Sequence, residues 1–152
     1  MKTYDSVLIA KYLLSIANSK KINLNVTKVQ KLMYIAYGYF LAENQNHRII
    51  DESPRAWPYG PVFPKTQNKV DYTNILDINA TEFEEIKKDI DLTIVLNNIV
   101  DGYSKYTASQ LSEWSHQKDG PWYKTTKLQD FKWNTIIPDQ FIAEYFKTIN
   151  VL

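Results

Sequence analysis

Between Asp5 and Asn18 apolar residues fall at Val7, Ala10, Leu14 and Ala17, with Leu13 and Ile16 widening the stripe, the spacing of one helix face. Asp5 stands just before this run, where its carboxylate can accept a free backbone N–H. Ser19-Lys20-Lys21 follows it, with cations at the end where the helix dipole is negative. Thr27-Lys28-Val29-Gln30 then has the form of a capping box and predicts a helix over about 27–45. Val29, Leu32, Met33, Ala36 and Phe40 line one of its faces, and Tyr34, Tyr37 and Leu41 cover another. A helix apolar on most sides belongs at the centre of the core.

From His47 to Tyr59 the pattern changes. Arg48-Ile49-Ile50 and Arg55-Ala56-Trp57 flank Asp51-Glu52-Ser53-Pro54, which predicts a small β-hairpin near residues 48–57. Pro58 holds Trp57 extended. Gly60-Pro61 suits a helix start, with Gly at the cap and Pro in the first turn, or one turn later at Pro64; the helix then runs to about Val70. Asp71 to Ala80 reads as loop. Thr81-Glu82-Phe83-Glu84 is a second capping box, opening a helix to Val100 with Ile86, Ile90 and Ile94 inside and Asp101-Gly102 closing it. Thr107-Ala108-Ser109-Gln110 repeats the cap before a short helix carrying Leu111 and Trp114, and Asp119-Gly120-Pro121 ends that unit in a turn. Pro138-Asp139 begins a last helix bearing Phe141, Ile142, Tyr145 and Phe146. The expected fold class is all-α: a compact multi-helix single domain over residues 1–152 with one small hairpin.

Composition narrows the chemistry. A chain of 152 residues buries roughly 70% of its unfolded surface without covalent staples. It has no Cys, which excludes disulfides, thiolate zinc sites and cysteine nucleophiles, and only two His, His47 and His116. The four Gly, at 38, 60, 102 and 120, are too scattered for a phosphate-cradling loop. Lys and Arg number 18 against 17 Asp and Glu, a net charge of +1 that disfavours nucleic acid as a partner. Lys20, Lys21, Lys28 and Lys31 read as a solvated face, the alternative being a patch for a phosphate backbone. The run Val7 to Ala10 is too short for a signal-peptide core, and Leu32 to Ala42 is about half the ~20 residues of a membrane span. The expectation is a cytoplasmic protein with no membrane partner.

Glu113-x-x-His116 has di-metal spacing, but that chemistry needs a second such pair and further carboxylates, which the chain lacks. Ser112, Ser115, His116 and Asp119 cluster without a nucleophile elbow, so His116 reads as a helix-end residue that bonds a nearby carbonyl. No catalytic residue, metal or cofactor is expected. The aromatics Trp57, Tyr59, Trp114, Trp122, Tyr123 and Trp133 lie in or beside loops, and Trp and Tyr dominate energetic hot spots at protein interfaces.

Three segments taken together resemble a known family. They are Lys31 to Leu41, Ala56-Trp57-Pro58-Tyr59-Gly60-Pro61-Val62, and Leu111-Ser112-Glu113-Trp114-Ser115-His116 followed by Gly120-Pro121-Trp122. In that order they resemble the Panacea domain, the SocA-like antitoxin family, also described as GepA-like proteins of mobile elements and prophages. The resemblance implies a mostly helical antitoxin that neutralises a cognate protein toxin from a neighbouring gene by direct contact. Family members meet many unrelated toxins, and delivery of the toxin to a cellular protease is one route within the family. The alternative is a mobile-element DNA-binding regulator. The motif residues Trp57, Tyr59, Gly60, Pro61, Val62, Trp114, His116, Pro121 and Trp122 are the candidates for the partner surface or for the frame beneath it. One departure stands out: after Gly60-Pro61-Val62 the family continues with bulky apolar residues, whereas Lys65-Thr66-Gln67-Asn68 is polar.

Overall fold

The computed structural model describes residues 2–152. Helix α1 spans Ser6–Ser19, and Asp5 caps it as expected, its carboxylate accepting from the Val7 N–H at 2.8 Å. Helix α2 spans Val26–Glu43 and starts earlier than the Thr27 signal predicts. Asn25 is the cap, accepting from the Lys28 N–H at 2.9 Å. Thr27 lies inside the first turn, and Gln30 is drawn away to the backbone of Phe63. Every residue from Val29 to Gly38 is buried, so α2 is enclosed on all sides by the rest of the chain.

The most extensive of these packings is with α8, Asp139–Thr148, which buries Ile142, Ala143, Tyr145 and Phe146 against α2. Gly38 makes it possible, because the Phe146 ring occupies the space where a β-carbon at position 38 would sit. Helices α1 and α5 (Ile90–Tyr103) and α6 (Ala108–Ser115) close the remaining sides. Thr107 and Gln110 form the expected capping box of α6, each side chain bonded to the other's backbone N–H. A short helix α7, Pro121–Thr126, starts at Gly120-Pro121, where the sequence pattern indicates only a turn. The architecture is all-α apart from one hairpin.

That hairpin lies further along the chain than residues 48–57. Its strands are β1, Arg55–Trp57, and β2, Gly60–Val62, paired antiparallel with Ala56 opposite Pro61 and the turn at Pro58-Tyr59. Ile49 and Ile50 cannot pair with β1 because the N-terminal segment takes their backbone. The Tyr4 N–H donates to the Ile49 carbonyl at 2.8 Å, and the Asp51 N–H donates to the Tyr4 carbonyl at 2.9 Å. Gly60-Pro61 therefore sits in a strand, and the helix that follows, α3, begins at Pro64 and ends at Lys69.

The polar run in α3 is held by charge and a buried hydroxyl to the cap of α1 and to the segment before β1. Lys65 Nζ lies 3.2 Å from both Asp5 and Asp51, the Lys65 N–H donates to Glu52 at 2.6 Å, and Thr66 is fully buried. This supplies by hydrogen bonding what bulky apolar residues would supply by area.

The helix expected from Thr81 to Val100 is broken. A 3-10 turn, Thr81–Phe83, leads into α4, Glu84–Lys88, and the chain then turns at Asp89, whose carboxylate caps α5 by accepting from the Leu92 N–H at 3.1 Å. The break changes the helical phase. Ile86 stays buried, but Ile90 and Ile94 are 67% and 53% exposed, and the inner stripe of α5 is Leu92, Val95, Leu96, Ile99 and Val100. Gly102 does not end α5, which continues to Tyr103. Among the described residues no helix is long and apolar enough to cross a membrane.

The α2–α8 contact makes a direct prediction. Gly38→Ala raises intrinsic helix propensity but drives a methyl into the Phe146 ring, so it should destabilise the protein by about 2 kcal/mol in urea unfolding. Adding Phe146→Leu should recover part of that loss. Additive penalties in the double variant would refute the contact.

Candidate protein-interaction site

The hairpin carries the site because both of its edges are occupied. On one side β2 lies over α2. On the other, residues 134–137 run against β1, with the Ala56 N–H donating to Thr135 at 2.9 Å, the Asn134 N–H to Ala56 at 2.8 Å, and the Ile137 N–H to Pro54 at 3.0 Å. Ala56, Gly60, Pro61 and Val62 are buried, and Pro121 is buried beneath them at the start of α7. Gly60 has φ +114°, and a β-carbon there would stand 2.5 Å from Ser115 Oγ and 3.0 Å from Lys31 Cε. Glycine is therefore required twice at this position, by its backbone conformation and by the close approach of α6 and α2.

Three tryptophans tie the hairpin to the C-terminal loops. Trp122 Nε1 donates to the Trp57 carbonyl at 2.8 Å, and Trp57 Nε1 donates to the Asn134 side-chain carbonyl at 2.9 Å. Asn134 itself adopts φ +81°, a conformation that asparagine tolerates better than most residues. His116 ends α6 and lies against Trp122 with ring centroids 4.0 Å apart, and Trp133 stacks on the far side at 6.2 Å. Among the described residues His116 Nε2 has no hydrogen-bond partner. The Pro58 carbonyl is near enough to favour the charged ring, but no well-formed bond joins them. The loops are locked by Trp122 more than by a histidine hydrogen bond.

The sequence candidates thus separate into two places. Trp57, Tyr59, His116 and Trp122 come together around the hairpin tip, and Trp133 joins them. Trp114 does not: it packs on Tyr34, Tyr145 and Phe146, on the face of α6 turned to α2 and α8. At the tip, Tyr59 is 71% and Trp133 54% exposed. A shallow depression of about 380 Å³ lies between Trp57, Pro58, Pro64 and Trp133. On the other flank a cleft of about 180 Å³ opens between Tyr59, Trp57, Val62 and the first turns of α2.

Lys31 lines that cleft, and its placement corrects the sequence reading. It is not part of a solvated basic face but 1% exposed, with Nζ donating to the Pro61 carbonyl at 3.2 Å. Burial pushes its pKa down to about 8. Two other lysines of that run have partners at the end of α5. Lys20 pairs with Asp101 at 2.7 Å, and Lys28 donates to the Ser104 carbonyl at 2.6 Å. Position 31 shares its helix face with Tyr34, Ile35 and Gly38, all core residues, and that spacing is the signal that marks it as inward. His116 is likewise pushed below its ordinary value, first by burial and then by the Lys31 charge. Among the described residues no three His, Asp or Glu converge as metal ligands.

The family model described as "Antitoxin SocA-like, Panacea domain" matches residues 29–123, from the second turn of α2 to α7. The chain belongs to that family. The matched segment of this Panacea domain includes the hairpin, the buried lysine, α6 and Trp122, and it stops before α8 and Trp133. Family membership supports an antitoxin role. No curated protein and no solved structure matches the chain significantly.

The buried ammonium makes stability depend on pH with a definite sign. Lys31 binds its proton less tightly when folded than when unfolded, so its burial costs stability in full below about pH 8 and costs none above the unfolded value of 10.5. Lys31→Met should therefore stabilise the protein at pH 7, by up to about 3 kcal/mol less the roughly 1–3 kcal/mol lost when the Pro61 carbonyl is left unpaired, with the gain shrinking as the pH approaches 10. His116 acts in the acid range in the same sense. Its contribution is complete above about pH 6.5 and is lost as the unfolded chain protonates first. Denaturation of both proteins from pH 5 to 10 checks the two windows.

Proposed function

We propose that this Panacea domain, as one unit over residues 1–152, is the antitoxin of a bacterial or phage toxin–antitoxin pair. It neutralises a protein toxin encoded by a neighbouring gene of a mobile element or prophage, by binding it and without catalysis. The contact face is the aromatic surface around the hairpin tip, formed by Tyr59, Trp133 and the outer edge of Trp57. The observation that supports this reading most is that Tyr59 and Trp133 are large, exposed and mounted on or beside a hairpin held along β1 by the backbone of residues 134–137 and along β2 by the side chains of Gln30 and Lys31. Rigid aromatics bury area at little entropic cost, the property that makes Tyr and Trp interface anchors. Gly60, Pro61, Val62 and Pro121 are buried and act as the frame. Delivery of the bound toxin to a cellular protease is the finer step, read out as a shortened toxin half-life when the antitoxin is present.

Co-expression with the product of the neighbouring gene tests the reading. That product should arrest growth alone and be harmless with the wild-type domain; toxicity undiminished at full antitoxin dose rejects it. Tyr59→Ala should weaken binding about tenfold or more while leaving the melting temperature nearly unchanged, and Trp133→Ala should weaken it as much with a small loss of melting temperature, because Trp133 also packs on Trp122 and Phe131.

A further inference from the structure

Several of the partly exposed cations of this chain find carboxylates. Lys2 reaches Glu85 at 3.0 Å, Lys20 reaches Asp101 at 2.7 Å, Lys65 reaches Asp5 at 3.2 Å and Arg48 reaches Asp139 at 3.5 Å. Lys31, the one buried ammonium among the described residues, does not. Lys31 Nζ has a single acceptor, the Pro61 carbonyl, and among the described residues no carboxylate lies within ion-pair distance of it. The end of α6 approaches it through Ser115, and the negative end of that helix offsets part of the cost. Two of the three ammonium donors remain without a protein partner, in a place where an unmatched charge is expensive.

Lys31 is buried, but it borders open space. It lines the cleft of about 180 Å³ whose other walls are Val26, Thr27, Gln30, Trp57, Tyr59, Val62 and Gln67. Gln30 uses its amide to donate to the Phe63 carbonyl and to the Gln67 side-chain oxygen, which leaves the Gln67 NH₂ as a further donor on the wall. His116, the titratable group whose charge couples to Lys31, is held toward its neutral form. A cleft this small, with one cation, amide and hydroxyl donors, and otherwise apolar walls, matches a monoanion with two oxygens. A phosphate, carrying more charge and needing more donors, is poorly served.

We infer that the cleft between the hairpin tip and the start of α2 receives a carboxylate group, which becomes the counter-ion of Lys31. In a part of the inference that rests on the antitoxin reading above, that carboxylate is an acidic side chain of the bound toxin, inserted beside Tyr59. The toxin then meets an exposed aromatic anchor and, next to it, a pre-desolvated cation. Pairing a charge that is already buried adds affinity without the full desolvation of both partners at the moment of binding.

The test uses the wild-type chain with ¹³C-labelled lysine, its Lys31 side-chain signal assigned through the backbone. Sodium acetate is the probe, titrated against sodium chloride at equal ionic strength. Acetate should move the Lys31 signal saturably and raise its titration midpoint above about 8, by about one unit, with the exposed lysines unchanged. Identical Lys31 signals and midpoints in the two salts overturn the inference. The toxin complex then identifies the source. A raised Lys31 midpoint in the complex, together with at least tenfold weaker binding by Lys31→Met, places a toxin side chain in the cleft. A toxin that binds without moving Lys31, when acetate moves it, assigns the cleft to a free small carboxylate and leaves the antitoxin reading standing.

Discussion

Complete enclosure of the centre of α2 is the constraint from which the rest of the molecule follows. Ten consecutive residues, Val29 to Gly38, are buried, and a helix has no face left to water when that happens. Two of those ten are polar, Gln30 and Lys31, and they face the segment from β2 to α3. Gln30 accepts from the Phe63 N–H at 2.8 Å and donates to the Phe63 carbonyl at 3.3 Å, so its side-chain amide pairs with that residue much as a neighbouring strand would. Lys31 bonds the Pro61 carbonyl two residues earlier. The hairpin is thereby anchored to the core helix by backbone groups that would otherwise be buried without partners. Position is then passed outward: β1 holds the Trp57 carbonyl, Trp122 bonds to it, and Trp122 supports His116 on one side and Trp133 on the other.

This dependence explains which parts of the fold are legible in the sequence. Helix α1, α6 and α8 can be read because their signals are local: an Asp or Thr at the cap and apolar residues at helical spacing behind it. The second helix can be recognised as central from its apolar circumference alone. The cap at Thr27 misleads because Asn25 competes two residues earlier and because tertiary contact claims the Gln30 side chain. The position of the hairpin depends on Tyr4, which takes the Ile49 and Asp51 backbone from more than forty residues away, and no local pattern reports that. Ile90 and Ile94 are misplaced for a related reason: Asp89 caps a new helix, and a single break in phase rotates every later residue.

The candidate site divides along the same line. That Trp57, Tyr59 and Trp122 matter is visible from residue type and loop placement, and the family motif covers all three. Trp114 is of the same type and equally close to a loop, yet it faces Tyr34 and Phe146, because α6 presents it to the core. Trp133 lies beyond the matched segment and reaches the site only because Asn134, in a left-handed conformation, turns the chain back against β1. Lys31 is the instructive omission. A lysine among lysines reads as surface, and only the phase it shares with Tyr34, Ile35 and Gly38 says otherwise.

An ammonium enclosed without a counter-ion is a standing cost to the folded state, and nothing in the packing of α2 demands one. A methionine at position 31 would fill a similar volume without the charge. Its bond to the Pro61 carbonyl adds to an anchor that Gln30, through both backbone groups of Phe63, and Trp122, through the Trp57 carbonyl, already supply. What the lysine alone provides is a cation beside the cleft that opens next to Tyr59. The near-neutral net charge of the whole chain gives little long-range attraction toward any partner. Discrimination then has to be exercised at short range, where a buried charge penalises any partner that fails to match it far more than a surface lysine would. A rigid aromatic tip can adhere to many surfaces. In the proposed contact, the unpaired cation next to it would supply the selectivity.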